Sequence, residues 1–586
     1  MNGMADPSPR VLQAVAVALI IVAAFSYGFV PERADNDVWW HLKTGQRIVE
    51  TGRLPMHDPF TFTGEDMVWH NHEWLAQVLF YKIFAWGGGI LNNLIGLRAL
   101  IGFKSCVLVA TFLLVLTLVQ QRCRCLPLSA LITLLALDVS RYTFYPRPPV
   151  FTYLLTAGFL LVLSGWKSKR WPSWALLVLP VLTALWANLH GGFLVGLFLI
   201  GFYLVGEVIE HFFWRSSEGD GTSTGEQAAR SSSLRRSQLL RRVAWLGGTL
   251  VGGLLATLCT PYGIHLYELF FRVMGASALV KTIAEMGSPL NPNVAQHYLT
   301  FFVMAGLVVA GLGAARRFCP ARPPAADLLV LLFFGYEAAA HIRHLPLFAI
   351  ATAPILGGSA DQLLDRAGER VRRWIAWAAT GGAVLIAACW IGLRDYPETY
   401  WNRNVQLGSG IPYVEINYPK DVCDFIVANQ FDGAMLNPVN CSGYLIFRLS
   451  PEIHKVFTDS RFDIFGDRFV WYEWAVSHGI ERDDWDKIPW KRLGLSKREG
   501  EHIRDRCQGE GWPEILDRWK INFVITEYPW AVRNKMRASS QWESVFYWTK
   551  PYERESGYEI FVRRIPENLE LISRCRWSFE QFKKRL

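Results

Sequence analysis

The chain of 586 residues is 51% hydrophobic, 14% aromatic and 19% charged, with 25 tryptophans. Soluble globular chains carry nearer about a quarter of charged residues, so a wholly soluble protein is excluded. Apolar runs up to about residue 392 and mixed sequence beyond imply a polytopic membrane domain plus one soluble domain. The formal charge of +9 does not point to nucleic acid, because much of the basic excess lies in short loops between apolar runs, the positive-inside signature of membrane insertion.

Arg10 precedes an apolar run from Val11 to Val30 that leads into Pro31 and Glu32 without a small-residue cleavage site. It predicts an uncleaved first span with a cytoplasmic start. The loop that follows, 31–97, predicts two helices. Val38 to Glu50 has helical periodicity, Asp35 or Asn36 in position to cap it, and Gly52 with Pro55 to end it. A second helix runs from about Glu73 to Trp86 and stops at Gly87-Gly88-Gly89. Both are short and amphipathic, which suits helices lying in the membrane interface with tryptophans at headgroup depth.

Further spans follow at roughly 98–119, 126–141, 149–165, 172–190, 193–213, 243–260, 297–315, 326–341, 344–360 and 374–393, about eleven in all. Expected inner loops carry Arg122 and Arg124, Lys167, Lys169 and Arg170, then Arg241 and Arg242; expected short outer loops carry few basic residues, chiefly Arg147, Arg272, Lys281 and Arg343. This alternation puts the C-terminal half outside. Residues 215–238, rich in Ser, Gly and Arg, read as a flexible cytoplasmic loop. The domains are then 1–393, α-helical and membrane-embedded, and 394–586, an extracytoplasmic α/β domain. Its expected strands are Ala434 to Leu436, Tyr444 to Phe447, Lys455 to Phe457, Phe523 to Ile525 and Tyr558 to Val562, with a helix over Lys420 to Gln430. Outside the membrane Cys423, Cys441, Cys507 and Cys575 have the chance to pair, with no deducible connectivity.

Chemistry-bearing residues gather in the first outer loop. Asp37 and His41 are four apart and share a helix face, with Asp35 at the helix start. Such a cluster suits a divalent cation, Mg or Mn, with phosphate oxygens, or a carboxylate base beside a reacting hydroxyl. Helix capping by Asp35 and Asp37, worth about 0.5–2 kcal/mol, accounts for the same residues without chemistry. His70, His72 and Glu73 form a second cluster, in which Glu73 either favours the helix dipole or faces Asp37 across a cleft. Arg147, His190 and Arg343 lie at expected outer ends of spans, where guanidinium binds lipid phosphate oxygens bidentately. An ion pair such as Arg343 with Glu337 is the competing reading. No span has an ionisable residue clearly at its middle, where a charge costs at least about 2.5–3.5 kcal/mol. A proton-coupled transporter wants midplane charges, whereas an enzyme acting on a lipid headgroup wants them at one interface.

The segments DNDVWWHLKTG, GRLPMHDPFTFT and HNHEWL, beginning at Asp35, Gly52 and His70, resemble the first outer loop of bacterial membrane proteins of the GT-C glycosyltransferase superfamily. Protein O-mannosyltransferases, aminoarabinose transferases and oligosaccharyltransferase catalytic subunits share that architecture. The resemblance implies a sugar donor on polyprenyl phosphate or diphosphate and transfer, by a hexosyl- or pentosyltransferase, at the outer face of the bacterial cytoplasmic membrane. The acceptor is then an envelope glycan, lipid or protein. Carried over by position, Asp37 is the catalytic acid residue, Asp35 completes a D-x-D pattern, and Glu73 or His72 matches a second acidic or histidine residue. The chain has no clear WWD-type motif of the oligosaccharyltransferases, so peptide glycosylation is not assigned. The stretch from Asn437 to Asp467 resembles outer domains of bacterial members, and within it Asp459, Arg461 and Asp463 either face a cleft or form a plain turn. The rival reading is a non-catalytic transporter or envelope-assembly scaffold with an outer recognition domain. A lipid-linked polymer ligase is disfavoured by the acidic first loop.

Overall fold

The computed structural model describes residues 9–29, 36–89, 93–214, 226–268, 283–319, 322–393, 418–465, 467, 469–493, 495–550 and 553–583. The chain forms two compact units. The first comprises Met1–Val30, Ala99–Gly263 and Ala284–Asn402, the second Pro31–Arg98, Ile264–Ile283 and Arg403–Leu586.

The first unit is helical. The expected spans lie on Pro9–Gly28, Asn93–Gln120, Leu126–Ser140, Pro149–Lys167, Val178–Leu189, Phe193–Ile209, Glu226–Ala256, Leu299–Phe318, Ala325–Ala340 and Leu345–Leu393. The last carries two expected spans across Gly368, whose φ of 82° breaks the helix between them. Among the described residues, six helices are long and apolar enough to cross a membrane. Part of the expected 215–238 loop lies outside the described residues, and from Glu226 onward it is helical instead. Its Ala, Gln, Leu and Arg content explains this, since all four are good helix formers. The expected inner loops hold three separate groups of ion pairs: Arg124 bonds Asp361 at 3.0 Å; Arg242 bonds Glu207 at 2.9 Å while Lys167 reaches Glu207 and Glu210; and Arg122 reaches Asp327.

The second unit is α/β. Strands β1 (Ala434–Leu436), β2 (Ile521–Glu527), β3 (Trp542–Lys550) and β4 (Glu553–Arg563) form one sheet in the order β1-β2-β4-β3. The β1–β2 pair is parallel and the others are antiparallel. Tyr444 to Phe447 is not a strand but part of helix Ser442–Leu449. Tyr444, Leu445 and Ile446 are all fully buried, and a short run buried all round has no period by which to tell helix from strand. Lys455 to Phe457 contributes only a parallel bridge between Val456 and Thr61.

That bridge shows where the first loop goes. Residues 31–98 pack into the second unit with the C-terminal half. The Asp37–Thr51 helix ends, as its sequence predicts, at a left-handed Gly52, and the second helix runs Trp74–Trp86. The two cross where Gly45 lies so close to the Gln77 carbonyl that an added Cβ would clash with it. Trp39, fully buried, packs edge-on against Tyr418 and Tyr444 with ring centroids 5.1 Å apart in each pair. Trp40 and Trp69 are buried as well. These tryptophans are therefore core residues of an α/β unit rather than headgroup anchors, while Trp86 alone of the loop's set is 91% exposed. Cys423, Cys441, Cys507 and Cys575 are free, buried thiols.

Candidate active site

Asp37 opens its helix, where a carboxylate complements the dipole. The preceding Asn36 does not cap it. Its amide instead donates to the Val439 carbonyl at 3.0 Å and accepts from the Gly443 N–H at 2.7 Å. The segment 439–443 thus fixes the helix start from outside. Ser460 donates its hydroxyl to the Asp37 carboxylate, so a residue 423 positions away orients the candidate acid. Asp35, the other half of the D-x-D pattern, lies outside the described residues.

One turn along, His41 is buried against Trp40. Glu73 stands between two imidazoles, 3.8 Å from His41 Nδ1 and 3.7 Å from His72 Nε2. Gln77 approaches His41 Nδ1 at 3.4 Å and is locked in a reciprocal amide pair with Asn71, at 2.7 and 3.0 Å. The fold therefore brings His41, His72 and Glu73 together, with Asp37 on the same helix about 6 Å of rise away from His41. Burial pushes the His72 imidazole down to about 4, which keeps it neutral at ordinary pH.

The basic candidates belong to the first unit. Arg147 pairs with Glu285 at 3.4 Å and lies over the Tyr145 ring. His190 Nδ1 accepts from the Gly192 N–H at 2.9 Å and meets the Thr152 hydroxyl at 2.8 Å, an arrangement that assigns the proton of the neutral ring to Nε2. Arg343 does not pair with Glu337, which bonds His344 at 2.9 Å instead. Its guanidinium contacts Met286 Sδ at 3.6 Å and meets no carboxylate among the described residues. His341 and Ile342 hold the same 286–287 segment through its backbone, at 2.9 Å each.

Among the described residues no three His, Cys, Asp or Glu side chains are grouped so as to hold a metal ion. Of the Asp35 and Asp37 pair expected to hold Mg or Mn, only Asp37 is among the described residues.

Asp459 and Arg461 do not face a cleft. Arg461 is buried and bonds Asp58 at 2.8 Å and Asp459 at 2.6 Å, between the rings of Phe60 and Trp69. The side chain of Asp463 is outside the described set.

Three residues, tied to Asp37 directly or to the 439–443 segment that holds its helix start, escape sequence reasoning. Ser460 is one. Glu473, whose carboxyl interacts with the Val439 backbone, and Glu527, which accepts from Asn440 at 3.5 Å, are the others. Burial, with Glu527 nearby, pushes Glu473 up to about 8. No motif marks these positions, because only the tertiary fold joins Ser460 to Asp37 and the two glutamates to Val439 and Asn440.

The described residues thus form a helical unit and an α/β unit, with an acidic residue heading a helix after the first apolar segment. The chain is similar in fold to the oligosaccharyltransferase of Archaeoglobus fulgidus in its structure tethered with an acceptor peptide containing the NVT sequon. The TM-score is 0.50 and the identity 12%, over 93% of this chain and 74% of that one. Two further structures from the same organism cover the same shares at 11% identity: the archaeal oligosaccharyltransferase AglB in complex with an inhibitory peptide and a dolichol-phosphate, TM-score 0.47, and the apo form, TM-score 0.44. At these identities the likeness is one of fold. No family model matches the chain, and no curated protein matches it in sequence.

Proposed function

We propose that this protein is a membrane glycosyltransferase that moves a hexosyl or pentosyl unit from polyprenyl phosphate or diphosphate to an acceptor. The acceptor is an envelope glycan, a lipid or a protein at the outer face of the bacterial cytoplasmic membrane. In this reading the chain crosses the membrane about eleven times, starts in the cytoplasm and carries its second unit outside. The observation that supports it best is the Asp37 carboxylate, oriented by Ser460 at the head of a helix anchored from outside by residues 439–443.

Asp37 takes the proton of an acceptor hydroxyl as its oxygen attacks the anomeric carbon. The bond from that carbon to the phosphate oxygen breaks, and the lipid phosphate leaves with the electron pair. Arg343, which has no carboxylate partner among the described residues, is the principal anchor for the departing phosphate. Arg147, paired with Glu285, and His190 complete the set that holds the donor phosphate. His41, Glu73 and His72 are positioning residues that fix the helix face one turn from Asp37. No step is routed through a metal.

The test is mass spectrometry of lipid-linked sugars in a strain lacking the protein. The native protein clears the accumulated species. Asp37→Asn, present in the membrane at native level, leaves them in place. Full clearance by Asp37→Asn overturns the assignment.

A further inference from the structure

At the far end of the Asp37 helix, about 15–21 Å along its axis, the second unit has an open cavity of about 610 Å³. Three chain segments build it: the last turn of that helix with its left-handed exit at Gly52, the 53–65 loop, and the strand-like stretch around Pro451 and Lys455. Arg47, Arg53, His57 and Lys455 line it. Two carboxylates also line it, and both are occupied. Asp58 is buried and bonded to Arg461 at 2.8 Å, and Glu65 holds Lys455 at 2.7 Å. Arg47, Arg53 and His57 have no side-chain partner among the described residues. The contrast within the unit is informative, since Arg448, Arg504, Arg533 and Arg563 each hold a carboxylate at 2.5–2.9 Å.

Arg53 and His57 are exposed, but the backbone that carries them is fixed. Thr51 fixes the turn that presents Arg53, its hydroxyl bonding the Arg47 carbonyl at 2.6 Å and accepting the Arg53 N–H at 3.3 Å. The loop backbone is pinned by the Asp58 N–H on Met67 at 3.1 Å and the Trp69 N–H on Met56 at 2.9 Å. Arg47 and Arg53 put two guanidiniums on one rim, and guanidinium suits the planar, bidentate geometry of phosphate and carboxylate oxygens. Leu54, Pro59 and Pro451 supply apolar walls against which sugar C–H faces pack.

We propose that this cavity is a binding site for an oxyanion-bearing saccharide, a sugar phosphate or a uronic acid, and that it holds the acceptor chain at a distance from Asp37. The second half of this statement rests on the glycosyltransferase reading; the binding itself does not. The test is calorimetric titration of the full-length protein in neutral detergent with glucose 1-phosphate and with a galacturonic acid trisaccharide. The native protein binds at least one of them, and Arg47→Ala/Arg53→Ala weakens that binding at least tenfold with the thermal midpoint unchanged. Asp37→Asn binds like the native protein, so a failed transfer assay and a failed cavity are told apart. Phosphatidylglycerol vesicles form a third arm. Arginine-dependent binding to vesicles alone, or equal saccharide binding by the native and double-arginine proteins, overturns the proposal.

Discussion

Glu473 and His72 belong to one unit, yet burial moves them in opposite directions along the pH axis, and each leaves a signature in stability. Glu473 ionises in the folded protein only at about 8, against 4.5 for the free group. Its contribution is therefore full below the unfolded value and is lost as pH rises from about 4.5 through about 8. Glu473→Gln, which mimics the neutral carboxyl, is expected to raise the thermal midpoint at pH 8 relative to the native protein and to change little at pH 4.5. His72 behaves in the reverse sense. Its folded value of about 4 lies below the free value of 6.5, so its contribution is present above 6.5 and is lost as pH falls through about 4. His72→Gln is expected to flatten that acid loss. Thermal melts of both variants in detergent across this range check the two signs. An unchanged difference between pH 4.5 and pH 8 for Glu473→Gln would refute the first.

At the level of elements, the buried Asp58–Arg461–Asp459 cluster joins the first-loop turn to the C-terminal half, with all three side chains fully buried. Arg461→Met is expected to cost about 3–5 kcal/mol, because it leaves two carboxylates buried without their cation. Adding Asp58→Asn and Asp459→Asn to that variant recovers part of the loss. Denaturant midpoints of the single and triple variants measure both effects, and equal midpoints would show that the loss lies in packing rather than charge. The sequence carried the elements that depend on local rules. The Gly52 stop of the Asp37 helix, the start of the second helix next to Glu73, and strands β1, β2 and β4 follow from capping, turn and alternation signals. The reading failed where tertiary context decides. A fully buried Tyr444–Ile446 run is helical, and β3 was not anticipated because Trp542–Lys550 mixes charged and aromatic residues without a clean period. In the candidate site, the spacing of Asp37 and His41 and the nearness of His72 to Glu73 were legible. Ser460, Gln77 and Glu473 were not, because their relation to those residues exists only after the chain has folded.

For the molecule as a whole, the contacts between residues 31–98 and the C-terminal half predict that this half does not fold by itself. The Asp37 helix supplies Trp39 to the cage of Tyr418, Tyr444 and Phe447. Its neighbouring loop supplies the backbone that pairs with Val456, at 3.0 and 3.2 Å, and the Phe60 carbonyl that accepts the Ser450 hydroxyl at 2.8 Å. Lys43 meets Glu452 at 2.9 Å across the same seam. Removing residues 31–98 would expose the aromatic cage, leave backbone groups at Val456 unpaired and strip Arg461 of one of its two carboxylates. Exposure of one large apolar side chain costs about 1.5–3 kcal/mol and each buried polar group left unsatisfied about 1–3 kcal/mol. Together these losses match or exceed the about 5–15 kcal/mol by which a domain is normally stable. A fragment of residues 403–586 is therefore expected to be protease-sensitive and to lack a cooperative melt. The same fragment joined through a flexible linker to residues 31–98 is expected to gain a protease-resistant core. Limited proteolysis with mass mapping of the two fragments decides the matter, and a stable 403–586 fragment would show that the seam adds contacts to a domain already folded without them.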